Sequence, residues 1–188
     1  LTTGGAGRGA LNQPDTQILL TTGDIPSGGP YSGLELGTHY WLDKDQWFGI
    51  DVRFFALAKQ SGQETARGNA NGSPLLSIPF NDLNPLFPGS SFSQIAAPGA
   101  STGQVRFDNA TRLWGGEVSF DLPSCGCERF ELAPLVGFRY LHFAETFSIV
   151  QDVMSVNQVP LLVFQGNPVP GADSLRITDT FGARNQFY

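Results

Sequence analysis

The stretch DKDQWFGIDVRFFAL, Asp43 to Leu57, decides the fold. After a tight charged turn, every second residue from Phe48 is apolar: Phe48, Ile50, Val52 and Phe54. Gly49, Asp51 and Arg53 stand between them. Successive side chains of an extended chain point to opposite faces, so this period of two predicts a strand with one oily and one charged face. Alternation alone does not say which face is inside. In a soluble sandwich the oily face meets a core and the charges meet water. In a membrane barrel the oily face meets lipid and the charges line the interior.

Composition leans toward lipid. The 188 residues are enough for one domain with a sizeable core. Only 15% of them are charged, against about 25% in an ordinary soluble domain. With 15 Phe and few Lys, the chain is a poor candidate for a surface that meets water. The net charge of −6 argues against a nucleic-acid partner, which needs a basic face. No run approaches about 18 apolar residues, so no transmembrane helix is expected, but barrel strands need only short alternating segments. The stretch LTTGGAGRGALNQ has no apolar signal core, and residues 1–14 are expected to be a flexible segment.

Six segments alternate. They are Asp15–Asp24, Ser32–Leu42, the opening stretch, Gln104 to Leu122, Arg129 to about Val150, and Asp173–Tyr188. In the second, Leu34, Leu36, Tyr40 and Leu42 oppose Glu35, His39 and Trp41. In the fourth, Trp114, Val118, Phe120 and Leu122 oppose Glu117, Ser119 and Asp121. Arg112 falls on the apolar side there, which predicts a phase slip at a bulge near Gly115-Gly116. In the fifth, Phe130, Leu132, Val136, Phe138 and Tyr140 oppose Glu131, Gly137 and Arg139. No segment has a helical period.

The connections alternate in length. Asp43–Gln46 and Pro123–Glu128 are short, and the second holds Cys125 and Cys127 in a turn-like SCGC. Residues 59–103 and 151–172 read as long loops rich in turn-forming residues. In a meander, successive connections fall at opposite ends, so short turns gather at one end and long loops at the other, as in outer-membrane barrels. Several segments run past ten residues, where a membrane-crossing strand needs about 9–11 and an ordinary strand has about five or six. The expected fold is all-β: an antiparallel up-and-down meander of about six long strands, forming all or part of a transmembrane β-barrel over residues 1–188.

The chain resembles the beta-barrel porin family that is seventh in its numbered series, a family of outer-membrane barrels. TQILLTTGD followed by SGLELGTHYWLDKDQWFGIDVRFFAL is similar to the family's opening strand and first hairpin. PLLSIPFNDLN and IAAPGASTGQV resemble its long-loop motif, with Ile78 where that motif carries Arg. RLWGGEVSF, ELAPLVGFRYLHFAE and ITDTFGARNQFY resemble later strands. The resemblance implies a location in the bacterial outer membrane or at the cell surface, and family members that continue past the sixth strand. This chain therefore reads as an N-terminal portion.

On this reading Phe48, Ile50, Val52, Phe54, Phe130, Leu132, Val136 and Phe138 face lipid. Tyr40, Trp41, Trp47, Trp114 and Tyr140 form interface belts. Asp51, Arg53, Glu117, Glu131 and Arg139 line the lumen, where they either pair across strands or set ion preference. No catalytic residue is expected, because no nucleophile motif accompanies His39 or His142. No metal site and no cofactor are expected either: two Cys and two His give no clear ligand set. The expected partners are outer-membrane lipid and, at the Asp173–Tyr188 edge, a continuation strand or a second copy. Passive passage of small polar solutes or ions is the leading function. A non-conducting structural or adhesive barrel and a soluble barrel carrying an apolar ligand are the alternatives.

Overall fold

A computed structural model describes residues 1–4, 15–21, 30–83, 89–127, 130–156, 163–164, 167–169 and 173–188. Among them are fourteen strands and no helix. In chain order they are β1 (Thr2–Thr3), β2 (Gln17–Ile18), β3 (Gly33–Trp41), β4 (Gly49–Leu57), β5 (Gln60–Arg67), β6 (Leu76–Asp82), β7 (Gly89–Ala96) and β8 (Ser101–Asp121). They continue with β9 (Cys125–Cys127), β10 (Phe130–Leu132), β11 (Leu135–Ser155), β12 (Val163–Phe164), β13 (Asn167–Pro168) and β14 (Ser174–Phe187). The largest sheet runs β14-β11-β8-β4-β3, with β5 also paired to β8. That is the order of a meander. Contacts divide the chain into two units, one of residues 1–27, 62–109 and 147–181, the other of residues 28–61, 110–146 and 182–188.

The first unit has a buried apolar core. Leu76, Ile95, Ala96 and Val153 pack together, and Val105 and Phe107 form a second cluster with Phe147 and Ile149 against it. Ile95 and Val105 are wholly buried, and burying such a side chain stabilises by about 1.5–3 kcal/mol. Phe107 and Phe147 stack with centroids 6.3 Å apart. On the opposite side of β8 and β11, Arg176 donates to both Asp152 carboxylate oxygens at 2.6 and 3.1 Å, and Gln104 donates to the same carboxylate at 3.1 Å. Arg176 first, and Gln104 second, hold the Asp152 carboxyl below the ordinary carboxylate range.

Residues 59–103, expected as a long loop, carry β5, β6 and β7. The apolar pattern misses β5 because QSGQETAR is polar on both faces; its side chains still alternate between half-buried and exposed. The 151–172 connection is described only in part, with β12 paired to β13. Of the expected first strand, Asp15–Asp24, only Gln17–Ile18 is a described strand, and it pairs with Thr2–Thr3. Residues 5–14 lie outside the described residues.

The second unit is built differently. β3 and β4 pair antiparallel from Gly33↔Leu57 to Trp41↔Gly49, and β4 pairs with β8 from Gly49↔Asp121 to Ala56↔Trp114. The second register runs straight through Gly115 and Gly116, so the expected bulge is absent there. The glycines serve close packing instead: a Cβ on Gly115 would lie 2.6 Å from the Tyr140 carbonyl and 2.9 Å from the Phe55 ring. Among the described residues of this unit, Gly49 and Gly115 alone are buried. Within SCGC, Cys125–Cys127 form strand β9, paired with β10, and Cys125 carries a free, exposed thiol.

The polarity of β8 inverts along its length. In the first unit its odd positions include the buried Val105 and Phe107, and its even positions include Gln104, Arg106 and Asp108. In the second unit the odd positions Glu117, Ser119 and Asp121 are polar, while Val118 and Phe120 are apolar and exposed. Arg112, at the start of the second unit's part of β8, stands at an exposed even position ahead of the apolar run, with no slip in phase.

Candidate functional site

The second unit brings Asp51, Arg53, Glu117, Asp121 and Arg139 to one side of the sheet. Side chains at odd positions of β3, β4 and β8 share that side because the register aligns them: His39↔Asp51, Arg53↔Glu117, Asp51↔Ser119 and Gly49↔Asp121. They line a cleft of about 480 Å³ together with Gly137 and Arg139 of β11. Arg53 Nε lies 2.9 Å from Asp51 Oδ1 and 3.8 Å from Glu117 Oε1. Arg139 Nε donates to Glu117 Oε2 at 2.6 Å. His39 Nδ1 is 3.5 Å from Asp121 Oδ2 and 3.8 Å from Asp51 Oδ2.

Glycines make room for this network. The His39 ring lies across Gly49, where a Cβ would come within 2.8 Å of Cε1 and 2.9 Å of Nε2. That lets the ring of a β3 residue reach past β4 to a carboxylate on β8. Trp41 meets the His39 ring edge-on with centroids 4.5 Å apart. Gly37 gives the Arg53 stem a similar passage, since a Cβ there would sit 3.4 Å from Arg53 Cγ.

The other side is apolar and bare. Leu34, Leu36 and Tyr40 of β3 are 56%, 58% and 67% exposed. Beside them stand Val52 and Phe54, then Val118 and Phe120, all exposed. The paired rows Leu36↔Phe54, Tyr40↔Ile50, Val52↔Val118 and Ile50↔Phe120 make the band continuous. At one end, Trp114 lies 5.3 Å from Tyr140 and Tyr140 lies 5.6 Å from Tyr188, centroid to centroid. At the other end, Tyr40, Trp47 and Phe48 flank the β3–β4 turn, all exposed. In that turn the Asp43 carboxylate accepts from the Phe48 N–H at 2.8 Å and from the Trp47 N–H at 3.0 Å. These bonds, Phe48 first, hold its carboxyl below the ordinary range.

Asp51, Arg53, Glu117 and Arg139, four of the five residues expected in the lumen, meet in the cleft. The side chains of Glu131 and Phe130 lie outside the described residues, although both backbones belong to β10. Leu132, Val136 and Phe138 are exposed. Trp41, expected in an interface belt, stands beside His39. His39, Asp121 and Ser119 are not among the residues expected in the lumen from sequence, yet they join them. Their alternation with apolar neighbours was visible in the sequence, but their meeting depends on the register. No group of three or more His, Cys, Asp or Glu suited to a metal ion occurs among the described residues. The cleft offers paired charges and room for water.

The family model described as putative beta barrel porin-7 matches residues 2–188, and the chain belongs to that family. Neither the curated proteins nor the solved structures contain a match to the chain.

Proposed function

Taking that membership as the premise, we propose that the second unit is a section of outer-membrane barrel wall, and that the intact protein passes small polar solutes or ions through a wet lumen. The carrying observation is that, in the second unit's part of the sheet, Gly49 and Gly115 are the only buried residues among the described ones. In water such a sheet has nothing to offset the entropy of ordering its strands. In a barrel wall the bare side meets lipid and the charged side meets water, which stabilises both. The two groups of aromatics, Trp114, Tyr140 and Tyr188 at one end and Tyr40, Trp47 and Phe48 at the other, fit belts at the two interfaces. On this reading Asp51, Arg53, Glu117 and Arg139 line the lumen. The end strands β3 and β14 take further strands of the same protein or a second copy, because unpaired backbone in hydrocarbon is costly.

The test is current through planar bilayers. The intact protein is expected to give steady conductance steps, and folded protein that inserts yet stays silent would refute passage. One observation favours a second reading, a non-conducting surface barrel: the first unit has a buried apolar core of its own, as a structural or adhesive element would. A soluble carrier of an apolar ligand is less well supported, because the cleft is lined with charges.

A further inference from the structure

We infer that His39 determines the ion preference of the cleft: the lining favours cations while the imidazole is neutral and loses that preference when it is protonated. The inference deepens the porin reading and rests on it.

Three carboxylates, those of Asp51, Glu117 and Asp121, face two guanidiniums, those of Arg53 and Arg139, in the cleft lining. With His39 neutral, one negative charge is left over. The pairing locates it. Arg53 sits on Asp51 and reaches Glu117, and Arg139 sits on Glu117. Among the described residues, His39 is the basic side chain that reaches Asp121. A proton on His39 therefore falls beside the carboxylate that lacks a guanidinium, and it takes the lining to neutrality. Beyond the lining, Glu35 on β3 and Glu145 on β11 stand at odd positions too, and both lie outside the cleft, so they add to the negative side without entering the balance of the lining.

His39 is held edge-on by Trp41 and laid across Gly49, so its position does not depend on the chance rotamer of an exposed side chain. Histidine is the side chain that proteins most often use to change charge with pH. One elementary charge about 4 Å from an ion in water changes its local occupancy by about fivefold, and salt screening reduces this.

The experiment is reversal potential under a potassium chloride gradient, with the intact protein in planar bilayers from pH 8 to pH 5. At pH 8 potassium is expected to be preferred over chloride, and the ratio is expected to fall by about threefold or more by pH 5. His39→Asn should hold its pH 8 preference across the range. His39→Lys should lack it even at pH 8. Asp121→Asn should lower it at pH 8, and this keeps the test open if the His39 variants do not fold. A wild-type ratio that stays constant from pH 8 to pH 5, or a His39→Asn protein that titrates like wild type, would overturn the inference and leave the pore standing. Folded protein that conducts nothing would overturn the porin reading and this inference with it.

Discussion

Val52→Arg puts a charge on the bare side of the sheet, midway along its apolar band. Val52 pairs with Thr38 on β3 and Val118 on β8, and Ile50 and Phe54 flank it along β4. No acidic side chain shares those positions. In a barrel wall near the bilayer midplane such an Arg costs about 2–4 kcal/mol. At about 1.4 kcal/mol per tenfold, that is a loss of roughly 30-fold to 700-fold in the folding equilibrium. If the same face met water, Val52, at 39% exposure, would be an ordinary surface position, where a substitution stays within about 0.5 kcal/mol. The assay is reversible urea unfolding of the intact protein in phospholipid vesicles, followed by tryptophan fluorescence. Glu35→Arg, on the cleft side of β3, is the control and should stay within about 0.5 kcal/mol of wild type. If Val52→Arg costs no more than Glu35→Arg, the lipid-facing assignment is wrong.

The first unit should respond as a packed core. Ile95→Ala should cost about 2–5 kcal/mol in the same unfolding assay, and a cost below about 1 would show that the core is not packed. Gly49→Val should displace the His39 ring and remove the pH dependence of ion preference without abolishing conductance, because the atoms it meets belong to side chains. The Asp43 carboxyl is held below its ordinary range by the N–H groups of Phe48 and Trp47. Its contribution to the turn is therefore present above the ordinary carboxylate value and lost as pH falls through the lowered one. Amide protection at Trp47 and Phe48 should drop in Asp43→Asn at neutral pH, and wild type should converge on the variant in acid.

The long strands were legible because their two faces differ in chemistry. Ile50, Val52 and Phe54 against Asp51 and Arg53 give β4 its position and its two sides from sequence alone, and Glu117, Ser119 and Asp121 do the same for the end of β8. The strands inside residues 59–103 were not legible. QSGQETAR offers no apolar contrast, and its strand state comes from pairing with β8, which is a tertiary effect. The apparent defect at Arg112 was an inversion of polarity along one strand, which a search for a single alternating phase reads as a slip. Four of the cleft's charges were legible as one class of position. The contact between His39 and Asp121 was not, because it depends on register across three strands and on the missing side chain at Gly49.

The most direct measurement of the central claim is nitroxide accessibility along β4. Single cysteines at positions 49 to 57 of the intact protein, with Cys125 and Cys127 replaced, would be spin-labelled in lipid vesicles. Collision with oxygen, which partitions into hydrocarbon, and with a water-soluble nickel complex would then be compared position by position. A barrel wall gives a period of two: oxygen favoured at 50, 52 and 54, nickel favoured at 51 and 53. Nickel favoured at 50, 52 and 54, or no alternation at all, would contradict it.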